Sequence, residues 1–221
     1  MKCFERLAVY QDFTPRSAAM NMAIDEALLE VATIPSIRFY KWDHPALSFG
    51  YFGKFAVVAT HSAERDLVRR WTGGGIVFHG DDLTYSIVIP ETEPTFGESS
   101  MSIYEKIHNA LRAALVVSGQ DGELATNGAP KISDSCFANP VRADVLSNGR
   151  KIAGAAQRRT RRGLLQQGSI QNVDLSNEFA GQFASELCSQ CYHKTLDERL
   201  IARATEIAEQ RYGAASWLQR R

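Results

Sequence analysis

Apolar residues recur at helical spacing in two stretches of the chain. In the first stretch the apolar positions are Met20, Ala23, Ile24, Ala27, Leu28 and Val31. Thr14 and Pro15 precede them. Because threonine can cap a helix and proline favours its first turn, we predict that this helix begins at Thr14 and ends before Pro35. Residues 101–118 repeat the spacing and predict a second amphipathic helix, in which we expect His108 to be exposed or half-buried.

Short runs rich in β-branched and aromatic residues alternate with turn signals over much of the remaining chain. Strand composition is found at residues 37–42, 47–52, 67–71, 76–79 and 83–90. Asn148-Gly149 is a strong signal for a two-residue hairpin, and its flanking residues predict a three-stranded antiparallel meander. The strands of this meander are predicted at residues 143–147, 150–157 and 164–170.

Two further helices are predicted near the C-terminus, at residues 176–190 and 195–212. The second starts with Thr195-x-x-Glu198, which is the pattern of a capping box. Tight turns join the predicted strands more often than crossover helices do. The elements therefore predict an α+β fold with a mixed, mainly antiparallel sheet flanked by helices. We expect a single domain, 1–221, on which the C-terminal helices pack.

The charge balance argues against several function classes. The chain contains 25 Lys and Arg against 25 Asp and Glu, so no net field directs it to nucleic acid or to a membrane. The longest apolar runs are far shorter than the ~20 residues of a membrane span, and the N-terminus lacks the apolar core of a signal peptide. A cytoplasmic location is therefore expected. Cys188-x-x-Cys191 is a single pair without partners for a zinc site, so no metal is expected.

Three consecutive glycines, Gly73, Gly74 and Gly75, separate two strand-like runs. Glycine loses more chain entropy on folding than any other residue, but it leaves the backbone N–H groups open to close approach by a ligand. The segment therefore favours a ligand-binding loop. The alternative is a glycine-rich hairpin turn that binds nothing.

Two residues carry candidate chemistry. Cys136 stands in a predicted loop, where an exposed cysteine in a cationic neighbourhood can act as a nucleophile, although buried inert cysteines are commoner. Lys151 follows the hairpin turn, and the small residues Gly154 and Ala155 leave room beside its strand. Such a lysine can hold a carbonyl or phosphate oxygen as a point charge, and the alternative is an exposed hairpin lysine.

A cluster of arginines follows at the next predicted turn, formed by Arg158, Arg159, Arg161 and Arg162. A run of this kind is usually a solvated hairpin tip. The alternative is a docking patch for an acidic partner.

Several motifs occur in the order and spacing of a known family. They are Asn21-Met22-Ala23-Ile24-Asp25-Glu26, Pro45-x-x-Ser48-Phe49-Gly50, Arg69-Arg70-x-x-Gly73-Gly74-Gly75-x-Val77-x-His79 and Gly149-x-Lys151-Ile152-x-Gly154-x-Ala156-Gln157. Together they resemble the lipoate/octanoate transferase and lipoate-protein ligase superfamily, which also contains the biotin protein ligases, over about Asn21 to Ile170. Within it, Cys136-Phe137-x-x-Pro140 resembles the cysteine-dependent octanoyltransferases, including the amidotransferases that act between lipoyl domains.

The resemblance implies a biotin/lipoate ligase-like catalytic domain with an acyl pocket against the sheet. In this domain Cys136 would accept the acyl group and Lys151 would contact the acyl carbonyl. The implied pocket residues are Arg70, Gly73, Gly74, Gly75, His79, Gly154 and Ala155. Under the docking alternative, the partner-binding residues are Arg158, Arg159, Arg161 and Arg162.

The resemblance further implies an acyltransferase. It would move an octanoyl or lipoyl group from an acyl carrier protein or a lipoyl domain to a lysine of a lipoyl domain, in glycine cleavage H protein or a 2-oxoacid dehydrogenase E2. No cofactor would be required, because a thioester donor is already activated. Two alternatives stay open: a lipoate-protein ligase that uses ATP and Mg, and a non-catalytic protein that binds acyl groups or lipoyl domains.

Overall fold

A computed structural model describes residues 2–126 and 140–220 of the chain. The strands are β1 (Phe4–Arg16), β2 (Ser36–Trp42), β3 (Ala46–Phe49), β4 (Asp66–Arg69), β5 (Ile76–His79), β6 (Leu83–Pro90), β7 (Glu123–Leu124), β8 (Val145–Ser147), β9 (Arg150–Arg159), β10 (Gly163–Ile170) and β11 (Cys188–Lys194). The helices are α1 (Ala18–Val31), α2 (Phe55–Val58), α3 (Ser100–Val117), α4 (Phe179–Leu187), α5 (Glu198–Ile207) and α6 (Ala215–Leu218). In these two ranges, no helix combines the length and the apolar character that a membrane crossing requires.

The strands form two sheets. The large sheet has the order β11-β1-β2-β6-β10-β9-β8-β7, and the small sheet has the order β4-β3-β5. Pairing in the large sheet is antiparallel except where β1 lies parallel to β2 and to β11. The predicted α+β fold with a mixed, mainly antiparallel sheet is confirmed.

The central strands of the large sheet are buried on both faces. Successive residues of a strand point to opposite faces, and here they contribute to two different hydrophobic clusters. Phe39 of β2 and Ile87 of β6 belong to the cluster with α3 and α4, whereas Tyr40 and Val88 belong to the cluster with α1 and α5. Helices therefore cover both faces of the sheet, and the alternating strand residues fix its register.

The predicted start of the first helix was wrong. Thr14 and Pro15 belong to β1, and α1 begins only at Ala18. Ser17 is the N-cap, because its Oγ accepts a hydrogen bond from the backbone N–H of Met20 at 3.3 Å. Proline is tolerated in β1 because the register with β2 shifts just before the strand ends.

The C-terminal prediction was wrong at two points. The helix expected at 176–190 is α4, which ends at Leu187, and the following residues form β11 parallel to β1. The N-cap of α5 is Asp197 rather than Thr195, since its carboxylate accepts from the backbone N–H of Leu200 at 2.8 Å. A capping carboxylate directly before the helix replaces the predicted capping box.

Candidate active site

One pocket is lined by residues of α1 and of both sheets, and it gathers several of the predicted site residues. Arg70, His79, Lys151, Gly154 and Ala155 all line it. The segment Gly73 to Gly75 is not among the lining residues but borders the pocket through Arg70. Cys136 lies outside the described residues.

His79 and Asp82 form a buried pair on the side of the pocket built by the small sheet. His79 Nδ1 lies 2.8 Å from Asp82 Oδ2. The same carboxylate oxygen accepts hydrogen bonds from Thr84 Oγ1 and Ser169 Oγ, each at 2.7 Å. Burial raises the pKa of Asp82, but the neighbouring His79 and these hydrogen bonds outweigh it and lower the pKa to about 2. Asp82 is therefore a fixed anion behind the imidazole.

The hydrogen bonds around His79 have one consistent direction. Because Asp82 is anionic, a neutral His79 carries its proton on Nδ1 and leaves Nε2 as an acceptor. Ser48 Oγ lies 2.7 Å from that Nε2 and donates to it, while Arg70 Nη1 donates to Ser48 Oγ at 2.7 Å. Trp42 stacks on the imidazole, with ring centroids 4.1 Å apart. The His79 ring is thus held by hydrogen bonds at both ring nitrogens and by stacking on its face.

Arg70 also determines the shape of the glycine segment. Its Nη2 donates to the carbonyl oxygens of Gly73 and Gly75, at 3.0 and 2.9 Å. Gly74 has a φ of +87°, in the region that favours glycine. A Cβ on Gly50 would lie 2.1 Å from the carbonyl oxygen of Gly74, so the two backbones pack with no space for a side chain. The segment folds around the Arg70 guanidinium.

Lys151 is held on the opposite side of the pocket by a second carboxylate. Its Nζ lies 2.7 Å from Asp144 Oδ2, and both side chains are buried. Tyr104 OH donates to Asp144 Oδ1 at 2.5 Å and accepts from the backbone N–H of Ala155 at 3.0 Å. A Cβ on Gly154 would lie 2.5 Å from Lys151 Cε and 2.6 Å from Nζ. The room left by the small residues of β9 is therefore occupied by the lysine side chain itself.

His108 supports this side of the pocket from α3. Contrary to the expectation of an exposed or half-buried histidine, its side chain is fully buried. Nδ1 lies 2.6 Å from the carbonyl oxygen of Ala143, and Nε2 lies 3.1 Å from Tyr85 OH. Burial lowers the pKa of His108 to about 4, so the ring is neutral and donates through Nδ1 to the residue before Asp144.

The four predicted partner-binding arginines have different environments. The guanidinium of Arg158 lies over Tyr51 and Trp71, at 5.1 and 5.2 Å from the ring centroids. Arg159 donates to the carbonyl oxygens of Phe96 and Glu98. Arg161 and Arg162 are exposed at the β9–β10 turn. The four arginines therefore do not form a single solvent-exposed hairpin tip.

The sequence interpretation missed Asp82, Asp144 and Tyr104 as site residues. Asp82 lies between the strands predicted at 76–79 and 83–90, Asp144 lies within the strand predicted at 143–147, and neither was given a partner. Tyr104 stands 40 residues before Asp144 along the chain. A contact of that separation leaves no local pattern, although the spacing from His79 to Asp82 was visible and could have suggested a pair.

Comparison with known sequences connects this site to a family. A family profile described as the lipoyl protein ligase A/B catalytic domain matches residues 17–211. Octanoyltransferase LipM of Oceanobacillus iheyensis is 36% identical over 208 residues, which cover 89% of this chain and 76% of that protein. Octanoyltransferase LipM of Staphylococcus aureus is 36% identical over 176 residues, which cover 72% of this chain and 64% of that protein. The chain thus spans about two thirds to three quarters of the relatives' lengths.

Solved structures show the same fold. Lipoate-protein ligase A bound with ATP superposes with a TM-score of 0.76 at 22% identity, covering 98% of each chain. A bi-partite lipoate protein ligase from Thermoplasma acidophilum, described with its E2 lipoyl domain, superposes with a TM-score of 0.72 at 20% identity, covering 98% of this chain and 96% of the other. At these identities the similarity establishes the fold.

Proposed function

The chain belongs to the lipoyl protein ligase A/B catalytic domain family and is an octanoyl- or lipoyl-transferring enzyme, and on that premise we propose that it transfers octanoyl groups through a Cys136 thioester. The donor is an octanoyl thioester on an acyl carrier protein or a lipoyl domain. The acceptor is a lysine of a lipoyl domain. The observation that supports this most strongly is Lys151, a cation fixed by Asp144 in the pocket that the family motifs surround.

In the first half-reaction the Cys136 thiolate attacks the thioester carbonyl, and the carrier thiolate leaves. This role of Cys136 rests on the sequence resemblance. Lys151 stabilises the oxyanion that forms on the carbonyl, because its Nζ is a charged donor that needs no reorganisation during the reaction. Loss of one such donor typically costs about 3 to 4 kcal/mol of transition-state stabilisation.

In the second half-reaction the amine of the target lysine attacks the acyl-enzyme carbonyl. The C–N bond forms, the C–S bond to Cys136 breaks, and the octanoyl group is left in an amide. The donor thioester already carries the activation, so neither ATP nor Mg takes part.

The pocket also gives the acyl chain an apolar environment, contributed by α1 and by both sheets. Met22, Trp42 and Val77 line it beside the polar groups. Each methylene buried there contributes about 0.8 kcal/mol to binding. The exposed Arg161 and Arg162 lie at the turn that follows the pocket strand β9, where they can meet an acidic carrier protein or lipoyl domain.

An ATP-free transfer assay tests this function. Octanoyl carrier protein, a lipoyl domain and the enzyme are mixed, and the octanoylated lipoyl domain is measured by mass spectrometry. We expect product without ATP, and no product from the Cys136→Ser variant. Product that requires ATP and free acid would indicate the ligase, and binding without transfer would indicate the non-catalytic protein.

A further inference from the structure

A groove rich in arginine lies at the C-terminal end of β9, beyond the acyl pocket. Two carboxylates of α1 line it together with Arg158, Arg159, Arg161 and Arg162. These carboxylates are already paired, Glu26 with Arg211 at 2.5 Å and Glu30 with Arg203 at 2.8 Å. Glu30 also lies 3.8 Å from Arg162 Nη1. Since the arginines outnumber the two carboxylates, the groove is positively charged.

Arg158 is a cation that the protein holds in place without an anion. Its guanidinium lies over the rings of Tyr51 and Trp71, which restrict its orientation. Within residues 2–126 and 140–220, its Nε is buried without a hydrogen-bond partner and no carboxylate pairs with it. A guanidinium carries only hydrogen-bond donors and is always charged. Arg158 is therefore suited to bind an anionic ligand that enters the groove.

Strand β9 connects this groove to the acyl pocket. Gly154, Ala156 and Arg158 point to the same face of the strand, because successive residues alternate and the pairing with β10 is regular through them. Gly154 and Ala156 line the acyl pocket, and a Cβ on Gly154 would lie 2.6 Å from Lys151 Nζ. Arg158 thus stands four residues, or about 13 Å, along the strand from the place where the proposed thioester carbonyl is bound.

A phosphopantetheine arm, the group on which acyl carrier proteins hold their acyl thioesters, has a matching length. About thirteen bonds separate its sulfur from its phosphorus, which is equivalent to just over four residues of extended chain, or about 15 Å. A thioester bound beside Lys151 therefore places the phosphate near Arg158. Phosphate oxygens accept paired hydrogen bonds from a guanidinium, and such charge-assisted bonds are the strong ones.

We propose that Arg158 binds the phosphate of the phosphopantetheine arm that carries the donor octanoyl thioester. The inference rests on the proposed function and identifies how its donor is recognised. The exposed Arg161 and Arg162 add positive charge at the open side of the groove. A purely structural role predicts a different result. If Arg158 only supported Tyr51 and Trp71, its removal would slow transfer from every thioester equally.

Three octanoyl thioesters test the site: octanoyl carrier protein, octanoyl phosphopantetheine, and octanoyl pantetheine, which lacks the phosphate. The kcat/KM for octanoylation of a lipoyl domain is measured with each. For the parent enzyme we expect octanoyl pantetheine to be poorer than octanoyl phosphopantetheine by about 10- to 100-fold, the loss typical of a hydrogen bond to a charged group. Arg158→Gln should lower kcat/KM by a similar factor for the two phosphate-bearing donors and leave octanoyl pantetheine unchanged. Arg6→Gln, which changes an exposed arginine of β1, is the matched control.

The pattern over the donors decides between the roles. Equal slowing with all three donors, or no slowing with any, would overturn the phosphate site. A loss confined to the carrier protein would also overturn it, because Arg158 would then contact the protein surface of the carrier. The two small donors compared on the parent enzyme need no variant, so they carry the test if Arg158→Gln does not fold, and equal kcat/KM values for them would overturn the site.

Octanoyl coenzyme A contains the same arm and separates the two sources of the phosphate. A higher kcat/KM for octanoyl coenzyme A than for octanoyl carrier protein would support the site and assign it to the coenzyme, whereas the reverse order would support it and assign it to the carrier. A parent enzyme that transfers octanoyl groups from none of these thioesters would reject the proposed function itself.

Discussion

On each of its two sides the acyl pocket has a buried carboxylate next to a nitrogen-containing side chain, and the two side chains differ in the hydrogen bonds they can make. On one side Asp82 faces an imidazole, and on the other Asp144 faces an ammonium. Both carboxylates are held by further hydrogen bonds, Asp82 by Thr84 and Ser169 and Asp144 by Tyr104 and a backbone N–H. The difference lies in the base. The imidazole presents an acceptor nitrogen to Ser48, whereas the ammonium can only donate.

The comparison shows how one arrangement, a buried carboxylate paired with a nitrogen group, can supply either a hydrogen-bond donor or a hydrogen-bond acceptor for acyl transfer. A carbonyl under attack develops negative charge and needs a donor, and the attacking amine develops positive charge and needs an acceptor. The donor lies on β9 and the acceptor on β5, and both line the same pocket. The predictions below act on the Lys151 side, in order of decreasing effect.

Removing the cation should have the largest effect. Lys151→Met deletes the donor and should lower the rate of octanoyl transfer by about 10³-fold. It also leaves Asp144 buried without its ion-pair partner, which destabilises the fold. The double variant Lys151→Met with Asp144→Asn should recover the melting temperature but not the transfer rate. Recovery of both would show that Lys151 serves stability alone.

Displacing the cation should have the next largest effect. The Cβ of Gly154→Ala would lie 2.6 Å from Lys151 Nζ, too close for the present position of the ammonium, and the end of a flexible lysine can move aside at little cost in stability. A displacement of about 1 Å at a reacting centre can cost about 100-fold in rate. We expect this loss of octanoyl transfer with a nearly unchanged melting temperature. Gly181→Ala, where an added Cβ meets nothing within 4 Å, is the control. A fully active Gly154→Ala enzyme would contradict the assigned position of the lysine.

Acid should destabilise the fold through the buried His108. The pKa of His108 is lowered to about 4, against about 6.5 in the unfolded chain, so between these values the unfolded state binds more protons and stability falls as the pH decreases. Between pH 7 and pH 5 this should remove about 2 kcal/mol from the free energy of unfolding. Asp82, with a pKa of about 2, stays ionised throughout that window.

Urea unfolding of the parent protein and of His108→Gln at both pH values measures this effect. Glutamine can still donate to Ala143 and accept from Tyr85, but it does not titrate. The variant should therefore lose less stability on acidification than the parent. Equal losses in the two proteins would assign the acid sensitivity to other groups.

The fold was predictable where local pattern and final environment agree. The residues 83–90 and 164–170 form strands as predicted, because their apolar runs fill the centre of the sheet. β11 was missed because Cys188–Lys194 is a mostly exposed edge strand without apolar alternation. Its pairing with β1, almost the whole chain away in sequence, is what stabilises it.

The site was predictable as a set of motif residues but not as a network. The resemblance named Arg70, His79 and Lys151, and the fold brings them to one pocket. Their carboxylate partners carry no signal in a single sequence, since an aspartate in a turn or beside a hairpin looks like a solvated charge. Burial by elements from distant parts of the chain is what turns these two aspartates into site residues.

Intact mass spectrometry of the enzyme after mixing with octanoyl carrier protein, followed by peptide mapping, tests the central claim most directly. We predict one added octanoyl group, located on the peptide that contains Cys136 and removed by neutral hydroxylamine. An enzyme that completes octanoyl transfer without ever carrying the group, or that carries it on a different residue, would contradict the account.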